Sequence, residues 1–289
     1  MNILKGKNIY FIVSAAVILI GLVAYIVFGG LNFGLDFTGG TEIRIKIGQE
    51  FSNDDISSIV KEKALIDSLI QKTGDNEVSI KTTEIETEKR DEIVNAIKEK
   101  YGLDDTALQE ATNVSASASK QLLTDALKAL LIAVACMLVY ITIRFDFRSG
   151  LAAVLGLLHN VLVLLAVYAV SRMQINSSFV AAVLTIVGYS INNTIIIFDK
   201  IRENRKLNRR VPFEEISNTA LNQVFTRTIN ASITTLATIL VLYIMGIDSI
   251  KEFSLPIIIG VLVGTYSSVC ISTPLWVVLN DKMKGKKRA

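Results

Sequence analysis

The sequence predicts a polytopic α-helical membrane protein with six transmembrane helices and one small extramembrane α+β domain. Three observations carry this. Of 289 residues 51% are hydrophobic, with a mean hydropathy of +0.47, more than an ordinary soluble domain carries. Six apolar runs each approach or exceed the length, about twenty residues, that crosses the hydrocarbon layer as a helix. Lysine and arginine gather at alternate ends of those runs.

The first run, Ile9 to Phe28, follows a short basic start with Lys5 and Lys7. It is too long for a typical signal-peptide core and shows no convincing cleavage site, so it reads as a retained first helix closing a segment 1–30. Gly29, Gly30 and Gly34 then give the chain freedom to act as a hinge or simply to turn into a strand. The domain 31–119 begins in LNFGLDFTGGTEIRIKI, where Ile43, Ile45 and Ile47 alternate with Glu42, Arg44 and Lys46, as a strand buried on one face requires. Ser52 or Asn53 can cap a helix reaching about Gln71; Val78, Ile80 and Thr82 mark a second strand; Thr87 to Tyr101 a second helix; and Leu108 to Ser115 a third strand. The predicted β-α-β-α-β order fits a small ferredoxin-like sandwich. The domain holds neither His nor Cys, and its carboxylates read as a solvated surface rather than a catalytic set.

The segment 120–289 supplies the other five spans, approximately Leu122–Ile143, Gly150–Val170, Phe179–Phe198, Thr228–Ile247 and Phe253–Leu279, with Pro256 and Pro274 accommodated near the ends of the last or kinking it. Between the fourth and fifth, at about 201–226, Val211-Pro212 breaks one helix and starts another in which Phe213, Ile216, Ala220, Leu221, Val224 and Phe225 repeat every three or four residues, an amphipathic helix expected to lie at the membrane surface. Arg144, Arg148, the cluster Lys200 to Arg210 and a basic tail share one side with Lys5 and Lys7, while the opposite short loops carry only Arg172 and Lys251. Both termini are therefore expected in the cytoplasm and the domain outside. The basic run suits anionic lipid; nothing in it requires nucleic acid. Cys136 and Cys270 lie in apolar runs, which argues against a disulfide framework or a zinc site, and no GxxxxGK[ST] phosphate loop is present. No catalytic residues, cofactor or metal ligands are expected, and the protein is not read as an enzyme.

The fourth span is the unusual one. Thr185, Gly188, Tyr189, Asn192 and Asn193 fall at three-, four- and seven-residue spacings and are expected to share a side that faces other helices, since amides facing lipid are costly. Small and polar residues also serve as plain packing glue. His159 in the third span and Arg227 at the start of the fifth are the ionisable groups placed to matter; a hydrogen-bonded neutral histidine is the alternative.

The motifs LDFTGGT (Leu35, Asp36, Phe37, Thr38, Gly39, Gly40 and Thr41), His159-Asn160, VGYSINNTIIIFDKIREN at Val187–Asn204 (including Asp199, Arg202, Glu203 and Asn204) and TRT at Thr226–Thr228 closely resemble the SecF family, the smaller subunits of SecD–SecF protein-export complexes. The resemblance spans nearly the whole chain. It implies an RND-like half-transporter completed by SecD, acting with the SecYEG channel, YajC and YidC on a translocating preprotein in the bacterial cytoplasmic membrane. The proton gradient, or sodium in some relatives, would drive it, with ATP left to SecA. Leu35 to Gly40 become the family motif and hinge. Half of an RND-like exporter of lipids or small molecules is the alternative.

This sequence departs from the family where ions are concerned. The fourth helix commonly reads SINDT and the third His-Asp; here the acids are replaced by Asn193 and Asn160. An amide keeps the shape but cannot bind and release a proton. Three accounts stay open: SecD supplies the titrating acid opposite Asn192, Asn193 and Arg227; His159 carries protons or the amides help hold sodium; or the pair is a passive scaffold.

Overall fold

The computed structural model describes residues 2–64, 68–73 and 76–285 and divides into two compact units, Phe33–Ala126 and the membrane part Met1–Asn32 with Leu127–Ala289. Among the described residues six helices are long and apolar enough to cross a membrane.

The smaller unit opens with a one-turn helix α2 (Leu35–Thr38), after α1 (Lys7–Val27) of the membrane part, and continues as β1 (Gly40–Lys46), α3 (Asn53–Ala64), β2 (Ser68–Thr73), β3 (Glu77–Thr82), α4 (Thr87–Tyr101) and β4 (Leu108–Val114). The sheet order is β2-β3-β1-β4 with every pairing antiparallel, the β-α-β-β-α-β sandwich of ferredoxin-like domains. Ile43, Ile45, Val78 and Ile80 are fully buried from the sheet side; Ile56 and Val60 of α3 with Ile93 and Ile97 of α4 close the core from the other. The helix expected to reach Gln71 therefore stops at Ala64, and the stretch after it is a fourth strand. Ile70 pairs with Ile80, and Asn76, just before β3, takes φ +59°, a conformation asparagine tolerates. Pairing to β3 wins over a helix that could bury little more.

The membrane part continues as α5 (Ala116–Arg144), α6 (Phe147–Ser171), α7 (Ser177–Leu207), α8 (Phe213–Met245), α9 (Asp248–Ser267) and α10 (Thr273–Gly285). The first turns of α5 belong to the smaller unit, where Ser119 Oγ donates to Leu35 O at 3.2 Å, so that unit extends past the expected limit at 119. In the bundle α9 packs against α6, α7 and α8, while α1 lies along α6. Between α9 and α10 a widened π turn covers Ser268–Ser272. Pro274 has no N–H for the Cys270 carbonyl four residues back, and the ladder loosens there.

The expected surface helix after Pro212 is instead the opening of α8, a single helix of 33 residues. Its apolar face meets protein rather than the membrane surface: Phe213, Ala220, Leu221 and Val224 are buried with Ile3, Leu4, Phe198, Ile201 and Trp276. The N-terminal stretch helps to seat it, with Ile3 N donating to Asn218 Oδ1 at 3.0 Å and Lys7 paired with Glu214 at 3.3 Å. At the other end, Arg172 closes α6 in a left-handed conformation and donates to Gly30 O at 2.7 Å, in the turn that follows α1. Lys286, Lys287 and Arg288 of the basic tail lie outside the described residues.

Candidate intramembrane site

The polar residues of α7 do not share one environment. Asn193 is 1% exposed and Ser190 2%, both turned into the bundle, whereas Thr185, Gly188 and Asn192 form an exposed stripe, with Tyr189 between the two faces. The single side expected from the spacings is thus two sides, because consecutive residues on a helix stand about 100° apart and the wall of neighbours covers only one.

On the inner side, Asn160 of α6 donates through Nδ2 to Ser190 Oγ at 2.5 Å. The carbonyl of Ser190 accepts from Thr194 Oγ1 and from Ser268 Oγ of the π turn, each at 3.3 Å, and those two hydroxyls lie 3.0 Å apart. Close approach is what allows this. A side chain at Gly264 would meet Ser190 Oγ at 2.9 Å, and one at Gly156 would overlap Ser272. A second chain of hydroxyls runs from Tyr189 to Ser232 (3.4 Å) and on to Thr265 (2.7 Å).

Several buried atoms in this region have no hydrogen-bond partner among the described residues: both amide atoms of Asn193, Asn160 Oδ1 and Thr228 Oγ1. A buried unsatisfied polar group costs about 1–3 kcal/mol, so atoms of this kind call for water, a cation or a partner chain. Amide and hydroxyl oxygens are acceptable ligands for a hard cation but bind it weakly without a carboxylate, and the described residues contain no cluster of three or more His, Cys, Asp or Glu.

His159 is adjacent in sequence but turned elsewhere. Its ring lies 6.1 Å from that of Tyr266, beside a cavity of about 340 Å³ shared with Val13, Ser14 and Val17 of α1. Both its nitrogens are buried, and neither meets a full-geometry hydrogen-bond partner among the described residues. Arg227 is exposed on α8 and makes no ion pair among the described residues.

The remaining motif residues hold elements together. Asp199 pairs with Arg144 at 3.1 Å, Arg202 donates to Arg144 O at 2.8 Å, Glu203 pairs with Lys200 at 3.0 Å, and Asn204 donates to Gln223 Oε1 of α8 at 2.9 Å. In the smaller unit Gly39 and Gly40 take φ +73° and +119°, Gly39 lies against Ala116, and Thr38 Oγ1 bonds back to Gly34 O at 3.2 Å. The motif thus ties the start of β1 to the start of α5, with Leu35 buried beneath it and Asp36 and Phe37 partly exposed. Gly34 itself is extended, at φ −75°, and needs no glycine for its backbone. Sequence reasoning missed Ser232, Thr265 and Ser268 and held Ser190, Thr194 and Thr228 only as members of motifs; the signal available was hydroxyl residues recurring inside apolar runs.

Residues 93–282 match the family model described as protein export membrane protein SecD/SecF, C-terminal, and residues 24–50 match the SecD/SecF GG motif. The chain belongs to the SecD/SecF family. Among its relatives, the protein translocase subunit SecF of Sebaldella termitidis is 34% identical over 294 residues, covering 100% of this chain and 94% of that protein. The protein translocase subunit SecDF of Bacillus subtilis is 30% identical, covering 98% of this chain and 38% of that one. The crystal structure of SecDF, a translocon-associated membrane protein from Thermus thermophilus, superposes with a TM-score of 0.83 at 30% identity, covering 97% of this chain and 39% of that chain. Along its whole length the chain is thus a SecF-type protein translocase subunit, a multi-pass membrane transport protein and not an enzyme, and the SecDF relatives, in which it matches about two fifths of a longer chain, indicate association with SecD.

Proposed function

We propose that this chain is the SecF half of a SecD–SecF pair that uses an ion gradient to promote preprotein translocation after SecA and SecYEG, with the titrating carboxylate supplied by SecD. The observation that carries the reading is the division of α7. The inner amides, Asn193 of α7 and Asn160 of the neighbouring α6, stand where the SecF resemblance implies acids, and the outer stripe Thr185–Gly188–Asn192 is polar yet exposed on a membrane helix. A polar stripe facing lipid is costly, and a partner helix bearing hydrogen-bonding groups relieves that cost. The close-packing allowance is there too: Gly188 has no atom within 4 Å of the position a Cβ would take. Arg227, exposed and without a carboxylate partner among the described residues, is the natural counter-charge for an acid brought by SecD. The gradient would then act by protonating and deprotonating that acid against Arg227, a two-state switch that this chain frames but does not itself titrate.

In this reading the basic ends of the helices face the cytoplasm, with both termini inside and the α/β domain outside. Gly29 and Gly30, at φ +70° and +124°, end the first helix and give the domain its hinge. SecYEG, YajC, YidC and the preprotein are the remaining partners.

The test is translocation in sealed vesicles containing SecYEG, SecD and this chain, with ΔpH and the sodium gradient varied separately. With His159→Ala, ΔpH dependence should persist; with the intramembrane carboxylates of SecD neutralised, it should vanish. Loss of ΔpH dependence on His159→Ala in an assembled complex would make His159 the local carrier instead. Dependence on sodium alone would move the assignment to the buried amides.

A further inference from the structure

At the basic end of the bundle lies a cavity of about 460 Å³ that the translocation mechanism does not use. It is framed by the turn between α5 and α6, the last turns of α7, the start of α8, and Trp276 of α10. We propose that it is a binding site for the phosphate headgroup of an acidic phospholipid.

The lining divides by chemistry. One wall is apolar and aromatic: Phe145, Phe213 and Trp276, with the Trp276 ring tilted 4.5 Å from that of Phe198 and edge-to-face 5.3 Å from that of Phe213. The other carries Arg202, Arg205, Lys206 and Arg209, against which Asp146 is the one acid among the described lining residues. These cations are not consumed by nearby carboxylates. Glu203 is taken by Lys200 and Asp199 by Arg144, which leaves Lys206 and Arg209 without an acidic partner among the described residues, while Arg205 lies over the Phe213 ring at 5.1 Å. A phosphodiester satisfies several Arg and Lys donors at once. The aromatic wall suits the glycerol and first acyl carbons of a lipid better than a freely soluble anion. Position agrees as well. α7 has 31 residues, about 46 Å at 1.5 Å each, so its last turns run past the hydrocarbon layer to headgroup level. The inference rests on the membrane-spanning assignment and not on the ion-coupling scheme, so either can fail alone.

Trp276 is the only tryptophan in the chain and lines the cavity, so its fluorescence reports on the site directly. The full chain would be placed in phosphatidylcholine nanodiscs and titrated with phosphatidylglycerol. A saturable change in Trp276 emission is expected. Arg209→Gln should raise the half-saturating fraction about fivefold, the weight of one cation near an anionic surface. Arg210→Gln removes the same charge one residue away, outside the lining, and should shift it less than twofold; Lys206→Gln repeats the test at a second exposed lining position. Equal shifts for Arg209→Gln and Arg210→Gln, or no saturable change in the unaltered chain, would overturn the site. Inorganic phosphate added to pure phosphatidylcholine nanodiscs should leave the emission unchanged; a saturable response to it would overturn the lipid assignment in favour of a soluble phosphate.

Discussion

Gly40→Val is expected to unfold the α/β domain and, with it, to abolish the export assistance proposed above. Gly40 sits at φ +119°, a conformation side chains rarely adopt, and a Cβ there would lie 2.3 Å from the backbone carbonyl oxygen of Thr82. The backbone penalty alone is about 1–2 kcal/mol, and forcing extra atoms into a packed site adds about 1–3 kcal/mol. A domain of this size holds only about 5–10 kcal/mol in all. The carbonyl cannot rotate away, since Thr82 pairs with Thr41 in the β1–β3 ladder, while Thr41 Oγ1 accepts from Ile85 N at 3.2 Å. The measurement is protease digestion of the full chain in membrane vesicles: the domain of the unaltered chain should resist and that of Gly40→Val should be cut. Gly40→Ala should be nearly as damaging, because the collision is at Cβ. Gly48→Ala is the comparison that isolates the collision, since Gly48 shares a positive φ of +70° but has nothing within 4 Å. A protease-resistant Gly40→Val domain with undiminished export would remove the motif's structural role.

The turn that Gly39 and Gly40 permit was readable in the sequence, and so were the six spans, because hydrocarbon thickness imposes a length that few other constraints imitate. The strand alternation of Ile43, Ile45 and Ile47 was equally plain and all three are buried. What could not be read depended on neighbours distant in sequence. Ser68–Thr73 is too short and too polar to separate from the tail of a helix until β3 lies beside it. The apolar face of early α8 has the same spacing whether it meets lipid or protein, and only Ile3, Leu4 and Trp276 decide which. The fourth span gave the same difficulty in sharper form. Helical spacing placed Thr185, Gly188, Tyr189, Asn192 and Asn193 near one another, but which of them turn inward depends on where α6, α8 and α9 stand. The partners of Asn160 at Ser190 and of Thr194 at Ser268 are 30 and 74 residues away in sequence.

Asn193→Leu should make the protein more stable and the gradient-driven part of export weaker, and the combination is more informative than either effect alone. Both amide atoms of Asn193 are buried without a partner among the described residues, in a side chain that is 1% exposed. Leucine has the same number of side-chain heavy atoms and a similar branched shape without polar atoms, so for an amide that meets no partner the exchange removes a desolvation cost of about 1–3 kcal/mol. In a chain of this size that corresponds to a rise in Tm of about 2–4 °C per kcal/mol. A residue that costs stability is tolerable where the cost accompanies a function, and the proposed function needs polar atoms at this depth to receive water or an ion as the SecD acid changes charge. With SecYEG, SecD and Asn193→Leu in sealed vesicles, translocation should fall to the level seen without a gradient, while SecA-driven translocation continues. If stability rises and gradient-driven export is untouched, Asn193 is a packing residue and the coupling surface lies wholly in the outer stripe. If stability falls instead, the amide is satisfied in the assembled protein, and the atoms that satisfy it are contributed by solvent, an ion or the partner subunit.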